Sequence, residues 1–299
     1  MTVALGIRQA GLGVPRQSPA WLAASSLVRQ PIAILAAVVV LTVVVVAAGA
    51  GILAPFDPAL ADWSALREAP SRLHLFGTDD LGRDILSRMI YGARASLLAS
   101  FGSVGIAFAV GVPIGLCSGY LGGVVDGIIM RFTDAMLAIP ALIFAVSLAA
   151  FLGPSLTNAV IAIGVSAIPV FIRLSRAQAM AVKHEEYVEA AFVIGNPRWR
   201  LVLRHILPNI IPALIVQATL TMAFAVIAEA SLSFLGVGQQ PPEASWGNML
   251  AIAKNYLEEA PWMAIWPGAA IFLTVLSFNL LGDTLQDALD PRSRARTGG

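Results

Sequence analysis

Few side chains in this sequence are placed to make or break bonds. Only two lysines occur, Lys183 and Lys254, preceded by Val182 and Ala253. A loop that grips nucleotide phosphates needs a Gly-rich turn ending in Gly-Lys-Ser/Thr, so neither lysine can serve one. His74, His184 and His205 fall on separate segments, and no Ser-His-Asp or paired-carboxylate arrangement follows from spacing. His205 has no second His, Cys or carboxylate at ligand spacing. It reads as a structural histidine at a helix C-terminus, where the dipole favours a cation. Cys117 is the single cysteine, which excludes an internal disulfide and a Cys-rich metal site. Its flank, Gly115-Leu116-Cys117-Ser118-Gly119, is small and apolar and predicts a buried packing role. The residues point away from intrinsic catalysis and from a cofactor or metal held by this chain.

The elements that carry these residues are dictated by composition. Hydrophobic residues make up 58% of the 299 and charged residues 12%. Soluble domains carry about twice that charge, so too little polar surface is available to coat a globule in water. Mean hydropathy is +0.79. The net charge of +1 gives no global field to attract nucleic acid. A bilayer core of roughly 30 Å needs about 20 apolar helical residues. Six stretches approach that length: Pro31–Ala54, Ala95–Tyr120, Ala135–Leu152, Leu156–Ile172, Ile210–Leu235 and Ala264–Leu281. A barrel would alternate over segments of about ten residues. Val38–Val46 is apolar throughout apart from Thr42, so alternation fails. The fold class expected is an all-α membrane protein with about six transmembrane helices. The first run is too long for a signal-peptide core and reads as a retained span.

Lys and Arg set the orientation. Arg8, Arg16 and Arg29, the six basic residues of Arg173–Arg204, and Arg292, Arg294 and Arg296 fall on one side of a six-span bundle. That side is expected to be cytoplasmic, with both termini. The segment Phe56–Arg94 carries five arginines but six acids, and Gly236–Met263 has only Lys254 among basic residues. The expected organisation is a cytoplasmic tail over 1–30, a first span over 31–54, an extracytoplasmic segment over 55–94, a five-helix core over 95–285, and a cytoplasmic tail over 286–299. Glu229 is the one clear ionisable residue within a span. It lies about twenty residues into the fifth, which places it near the outer interface. Two readings stand there: a solvated or hydrogen-bonded carboxylate, and a proton-coupling group. Ion-coupled transporters carry relays of such groups, and one residue is not a relay.

Residues 176–208 read as two short helices with a sharp break. The first ends near Ile194, and Gly195 supplies a permissive stop. Asn196 is placed to cap the second helix and Pro197 to occupy its first position. In that second helix Trp199, Val202, Leu203 and Ile206 share one apolar face. Pro208 marks the start of the fifth span. The stripe fits either lipid headgroups or a groove on a partner protein.

Four stretches then carry a resemblance. Glu189-Ala190-Ala191, with Gly195 and Leu207-Pro208, resembles the EAA loop of ABC importer permeases. His205-Ile206-Leu207-Pro208-Asn209 is similar to the peptide and nickel branch, where the broader family has Ile in place of His205. Phe76-Gly77-Thr78-Asp79-Asp80-Leu81-Gly82-Arg83-Asp84-Ile85-Leu86-Ser87-Arg88 resembles the segment before the second span of the C-type permease. Glu229-Ala230-Ser231-Leu232-Ser233-Phe234-Leu235-Gly236, with Pro241-Pro242 and Ser245-Trp246-Gly247, resembles its fifth span and following loop. Asn279-Leu280-Leu281-Gly282-Asp283, with Asp287-Ala288-Leu289-Asp290-Pro291-Arg292, resembles its C-terminal end. Residues 1–30 match none of these patterns.

The resemblance implies a type I ABC importer permease fold and a permease subunit for peptides or related small solutes. It implies four kinds of partner: a homologous second permease, two ATPase subunits that bind ATP and Mg, an extracytoplasmic substrate-binding protein, and the lipid bilayer of a bacterial inner membrane. It implies ATPase coupling through Glu189, Ala190, Ala191, Gly195, Arg198, Leu207 and Pro208. Asp79, Asp80, Arg83 and Asp84 have two readings: exposed intramolecular salt bridges, with Asp79 and Asp80 near a helix start, and an extracytoplasmic interface. The alternatives are an ion-coupled secondary transporter and a membrane scaffold without transport.

Overall fold

The structure, a computed structural model, describes residues 30–289. Of the two tails proposed from charge, 1–29 and 290–299 lie outside the described residues, as do their arginines, while 286–289 continue the last helix. The first span forms as α1 (Pro31–Ala48), with proline in the first turn where its missing N–H costs nothing. Gly49 then interrupts it, and one further turn follows, α2 (Ala50–Leu53).

Helix α3 (Ile85–Leu121) has 37 residues and begins ten residues earlier than the expected span. Its N-cap is Asp84, whose side chain accepts from Ser87 N at 2.8 Å. Asp79 and Asp80 stand in the turn just before the helix start. The expected third span is broken. Helix α4 (Gly123–Leu137) and α5 (Ala141–Leu152) meet at 87°. Pro140 lies between them, and proline both lacks an N–H and bars the preceding residue from helix. The twelve residues of α5 reach only about 18 Å, so they cross a bilayer core only together with part of α4.

Helix α6 (Leu156–Lys183) starts at Ser155, which accepts from Asn158 N at 3.1 Å. It outruns the expected span and carries Arg173 and Arg176 as helical residues. A short helix, α7 (Glu186–Val193), follows. The second loop helix and the fifth span are one continuous element, α8 (Arg198–Phe234), with a π-helical stretch at Leu201–Ile206. Pro208 and Pro212 remove two donors just beyond it, and the wider π turn re-spaces the ladder there. Pro208 is thus inside the helix. His205 is inside it too, rather than at a C-terminus, and its carbonyl accepts from Asn209 Nδ2 at 2.7 Å. Helix α9 (Trp246–Ala253) is closed by a capping box between Ser245 and Asn248. Helix α10 (Trp262–Leu289) ends the described chain. Five of these helices are long and apolar enough to span, and the count is six where the bent α4–α5 pair is taken as one span.

The closest packing joins α3 to α6. Gly111, Gly115 and Gly119 line one stripe of α3, and a Cβ on any of them would meet the α6 backbone at Ile168, Ile172 or Arg176. Small residues four apart let two backbones approach where lipid supplies no hydrophobic drive. Phe171, Ile206, Ile210 and Leu214 complete the core beside this seam. Ile32, Leu35, Leu41, Phe151 and Phe272 are exposed on the outside of the bundle. Cys117 is exposed rather than buried, because Gly115 and Gly119 hold the seam and Cys117 sits off that stripe. It lines a cavity of about 530 Å³ with Phe108, Trp199 and Leu203.

Candidate functional site

Two ends of the bundle carry polar structure. At one end, α6 stops when Lys183 turns back to donate from Nζ to Tyr120 O at 2.9 Å, over the Tyr120 ring. Helix α7 then projects beyond the spans. Val188 and Ala191 are buried beneath it, while Glu189 and Ala190 face outward. The Glu189 carboxylate stands 3.9 Å from His184 and both are well exposed. Gly195 closes the helix at φ +92°, a left-handed conformation that a side chain disfavours. A Cβ there would meet nothing within 4 Å, so the constraint is conformational, not steric.

Asn196 does not cap the following helix. Its backbone N–H and its Nδ2 both donate to Ala191 O, at 3.3 and 2.9 Å, and so lock the end of α7. The turn exposes Phe192, Val193 and Ile194 at 59%, 82% and 82%, an apolar tip with no cover among the described residues. Arg198 and Trp199 flank it, also exposed. Leu207 is half-buried against the core and Pro208 is exposed. The apolar face expected for the second loop helix is split: Ile206 points into the core, while Trp199 and Leu203 stay exposed.

This end is braced by a pair the sequence reading did not single out. Arg176 on α6 holds Asp126 on α4 through both guanidinium arms, with Nη2 to Oδ2 at 2.6 Å, and Ser118 on α3 donates to the same carboxylate. Three helices therefore meet on one charged node. A bidentate arginine–carboxylate pair is both stronger and more directional than a single contact.

At the other end, the expected surface salt bridges are buried. Asp79 accepts from Leu81 N, Arg83 N and Arg83 Nε at 2.9, 3.0 and 2.7 Å. Arg83 Nη2 reaches Asp80 at 3.3 Å, and Asp80 alone of the four is appreciably exposed. Asp84, besides capping α3, accepts from His74 Nδ1 at 3.0 Å. Arg88, 1% exposed, stands 3.4 Å from Asp79 and donates to Pro58 O and Pro242 O at 2.9 and 3.4 Å. The segment 55–84, α3 and the loop before α9 are thus tied by one guanidinium. In the same segment, Asp62 accepts from Ser64 N and Oγ, which hold its carboxyl below the usual range.

Glu229 is buried completely rather than solvated at an interface. It accepts from Ser233 Oγ at 2.7 Å and Ser96 Oγ at 3.3 Å, joining α8 to α3. Among the described residues no group of three or more His, Cys, Asp or Glu side chains could hold a metal ion.

Residues 111–295 match the family model for the binding-protein-dependent transport system inner membrane component. Curated relatives extend the match. The probable D,D-dipeptide transport system permease protein of Escherichia coli is 44% identical over 263 residues, covering 88% of each chain. The dipeptide transport system permease protein of Alkalihalophilus pseudofirmus is 41% identical over 278 residues, 93% of this chain and 91% of its own. The glutathione transport system permease protein of Pectobacterium atrosepticum is 42% identical over 268 residues, 89% of each. A solved structure of the MetNI methionine ABC transporter in inward-facing form shares the fold at TM-score 0.54 and 20% identity, over 71% of this chain and 97% of that one. With its apolar spans, its uncovered loop and these relatives, the chain belongs to the family of binding-protein-dependent transport system inner membrane components, as a non-catalytic, multi-pass permease subunit of an ABC importer.

Proposed function

We propose that this subunit imports peptides of a few residues and receives the work of ATP hydrolysis through the α7 tip. The observation that carries the coupling assignment is the uncovered Phe192-Val193-Ile194 turn, held rigid by Gly195 and Asn196 and flanked by Glu189 and Arg198. An apolar helix end outside the spans, with charge at its margin, suits a groove on a soluble partner. In this reading Glu189, Ala190, Gly195 and Arg198 face the ATPase, and Ala191, Leu207 and Pro208 set the angle at which the tip meets α8. ATP and Mg are bound by two partner ATPase subunits. A second permease completes the pathway, and a binding protein delivers solute to the end bearing Asp79, Asp80, Arg83 and Asp84. Both termini and the α7 tip are cytoplasmic. The dipeptide and glutathione names of the relatives support a peptide solute.

The test is a pull-down from mild detergent of the wild type beside a Glu189→Lys, Gly195→Val variant, with ATP hydrolysis assayed on the eluate. The wild type should bring an ATPase and a second permease, and the variant should lose the ATPase alone. Recovery of equal ATPase with the variant overturns the coupling site.

A further inference from the structure

A cavity of about 370 Å³ opens at the end opposite the α7 tip. It is walled by four separate pieces of chain: Pro58 and Ala59 in the segment before α3, Tyr91, Arg94 and Leu98 on α3, Leu156 at the start of α6, and Gln239 and Glu243 on the loop between α8 and α9. Its size suits a small solute, since ligand pockets start at about 300 Å³.

Two side chains of opposite charge, Arg94 and Glu243, line it. Arg94 spends its contacts on neutral groups: Nε donates to Ala47 O at 2.7 Å, Nη2 reaches Ala48 O at 3.5 Å, and the guanidinium lies over the Tyr91 ring at 5.1 Å. A guanidinium has five N–H donors, so carbonyls occupy only part of its capacity. The Glu243 carboxylate accepts from Gln239 Nε2 at 3.1 Å and meets no cation. Among the described residues neither Arg94 nor Glu243 forms an ion pair, although Asp79, Asp84, Arg83 and Arg88 nearby in the fold are all paired. Among the described residues, one cation and one anion without an ion pair thus line the same cavity, together with the apolar Leu98 and Leu156.

We propose that this cavity is a binding site for zwitterionic peptides, with Arg94 taking the C-terminal carboxylate and Glu243 the N-terminal ammonium. The assignment rests on the peptide-importer reading and adds a solute site within this subunit. A free peptide carries one of each charge at its two ends, so the arrangement selects for both ends being free. A carboxylate meets a guanidinium in strong, directional hydrogen bonds. The leucines and Tyr91 leave the side chains unspecified, which fits a carrier of many sequences.

The phosphoethanolamine headgroup of a lipid is zwitterionic as well, and the experiment separates the two sources. Saturation-transfer NMR is run on the assembled transporter in phosphatidylglycerol nanodiscs, without binding protein. The probes are dialanine, N-acetyl-dialanine and dialanine amide. Wild type should bind dialanine about tenfold better than either blocked peptide, the size of effect one charged contact gives. Glu243→Gln should erase the preference over the acetylated probe only, and Arg94→Gln the preference over the amide only. Arg94→Lys, which keeps the charge, should restore the latter and guards against a folding defect. Absence of transfer in wild type overturns the site. So does an equal loss for all three probes in each variant, or displacement of dialanine by added phosphatidylethanolamine. Import of labelled peptide by the complete transporter with its binding protein is measured in parallel. Failure of import sinks the peptide reading itself, whereas intact import with no transfer sinks only the cavity.

Discussion

The indole of Trp246 sits in a notch that Gly92 leaves open on α3. Its Nε1 donates to Met89 O at 3.0 Å, and a Cβ on Gly92 would lie 2.9 Å from Trp246 Cδ1. The neighbouring Gly247 presses on the backbone of α8 at Ala230. The start of α9 is therefore a wedge between α3 and α8, anchored by one ring and one missing side chain. Gly92→Val should expel the ring and lower the midpoint of thermal unfolding in detergent, at a cost of about 1–3 kcal/mol for an overpacked site. Trp246→Phe should cost less, since it loses one hydrogen bond but keeps most of the packing. A Gly92→Val midpoint equal to wild type would contradict the wedge.

Gly195→Val tests the tip. The substitution strains a left-handed position by about 1–2 kcal/mol without meeting any neighbour. The protein should insert and extract normally, while peptide uptake and solute-stimulated ATP hydrolysis fall together. Gly195→Asn, a residue that tolerates this conformation, should retain most of both. Uptake by the valine variant at the wild-type rate would remove Gly195 from the coupling assignment.

The Asp126–Arg176 node predicts strong coupling between α4 and α6. Asp126→Asn and Arg176→Gln should each lower thermal stability. The double variant should lose less than the sum, with an interaction energy of about 0.5–3 kcal/mol in the cycle. Additive losses would mean that the two groups act separately.

The glycine stripe of α3 predicts graded sensitivity. Gly115→Leu places atoms into Ser175 and the Ile172 carbonyl, whereas Gly105 on the same helix faces open space. Gly115→Leu should reduce the yield of folded protein sharply, and Gly105→Leu should leave it near wild type. Size-exclusion profiles of the two detergent extracts decide the matter.

Glu229 separates a structural carboxylate from a proton carrier. Glutamine fills the same space and keeps partners for Ser96 and Ser233. Glu229→Gln should therefore retain uptake that follows ATP and ignores the proton gradient. Glu229→Leu should lower thermal stability, because it strands the two hydroxyls. Loss of uptake in the glutamine variant with unchanged stability would point to proton transfer.

Apolar run length and composition determined the all-helical membrane class and the approximate span positions, because lipid leaves backbone polar groups only internal partners. The break at Gly195 was legible too, since glycine marks a left-handed stop whatever surrounds it. The extension of α3 back to Ile85 was not. Arg88 and Arg94 look like loop residues until Pro58, Pro242 and Ala47 supply the carbonyls that take up their donors. Pro140 could have signalled the bend that splits the third span, but the apolar run across it masked the break. The merging of the second loop helix with the fifth span also escaped reading, because Pro208 suggests a boundary and only the π turn shows how the helix passes it. Which charges are buried was decided by tertiary structure alone. Asp79, Arg83 and Arg88 become a closed network, Asp126 finds Arg176 fifty residues away, and Arg94 and Glu243 are brought to one cavity from segments nearly 150 residues apart. Spacing along a chain encodes local geometry. Long-range pairing depends on how helices pack, and here glycine seams and one tryptophan notch set that packing.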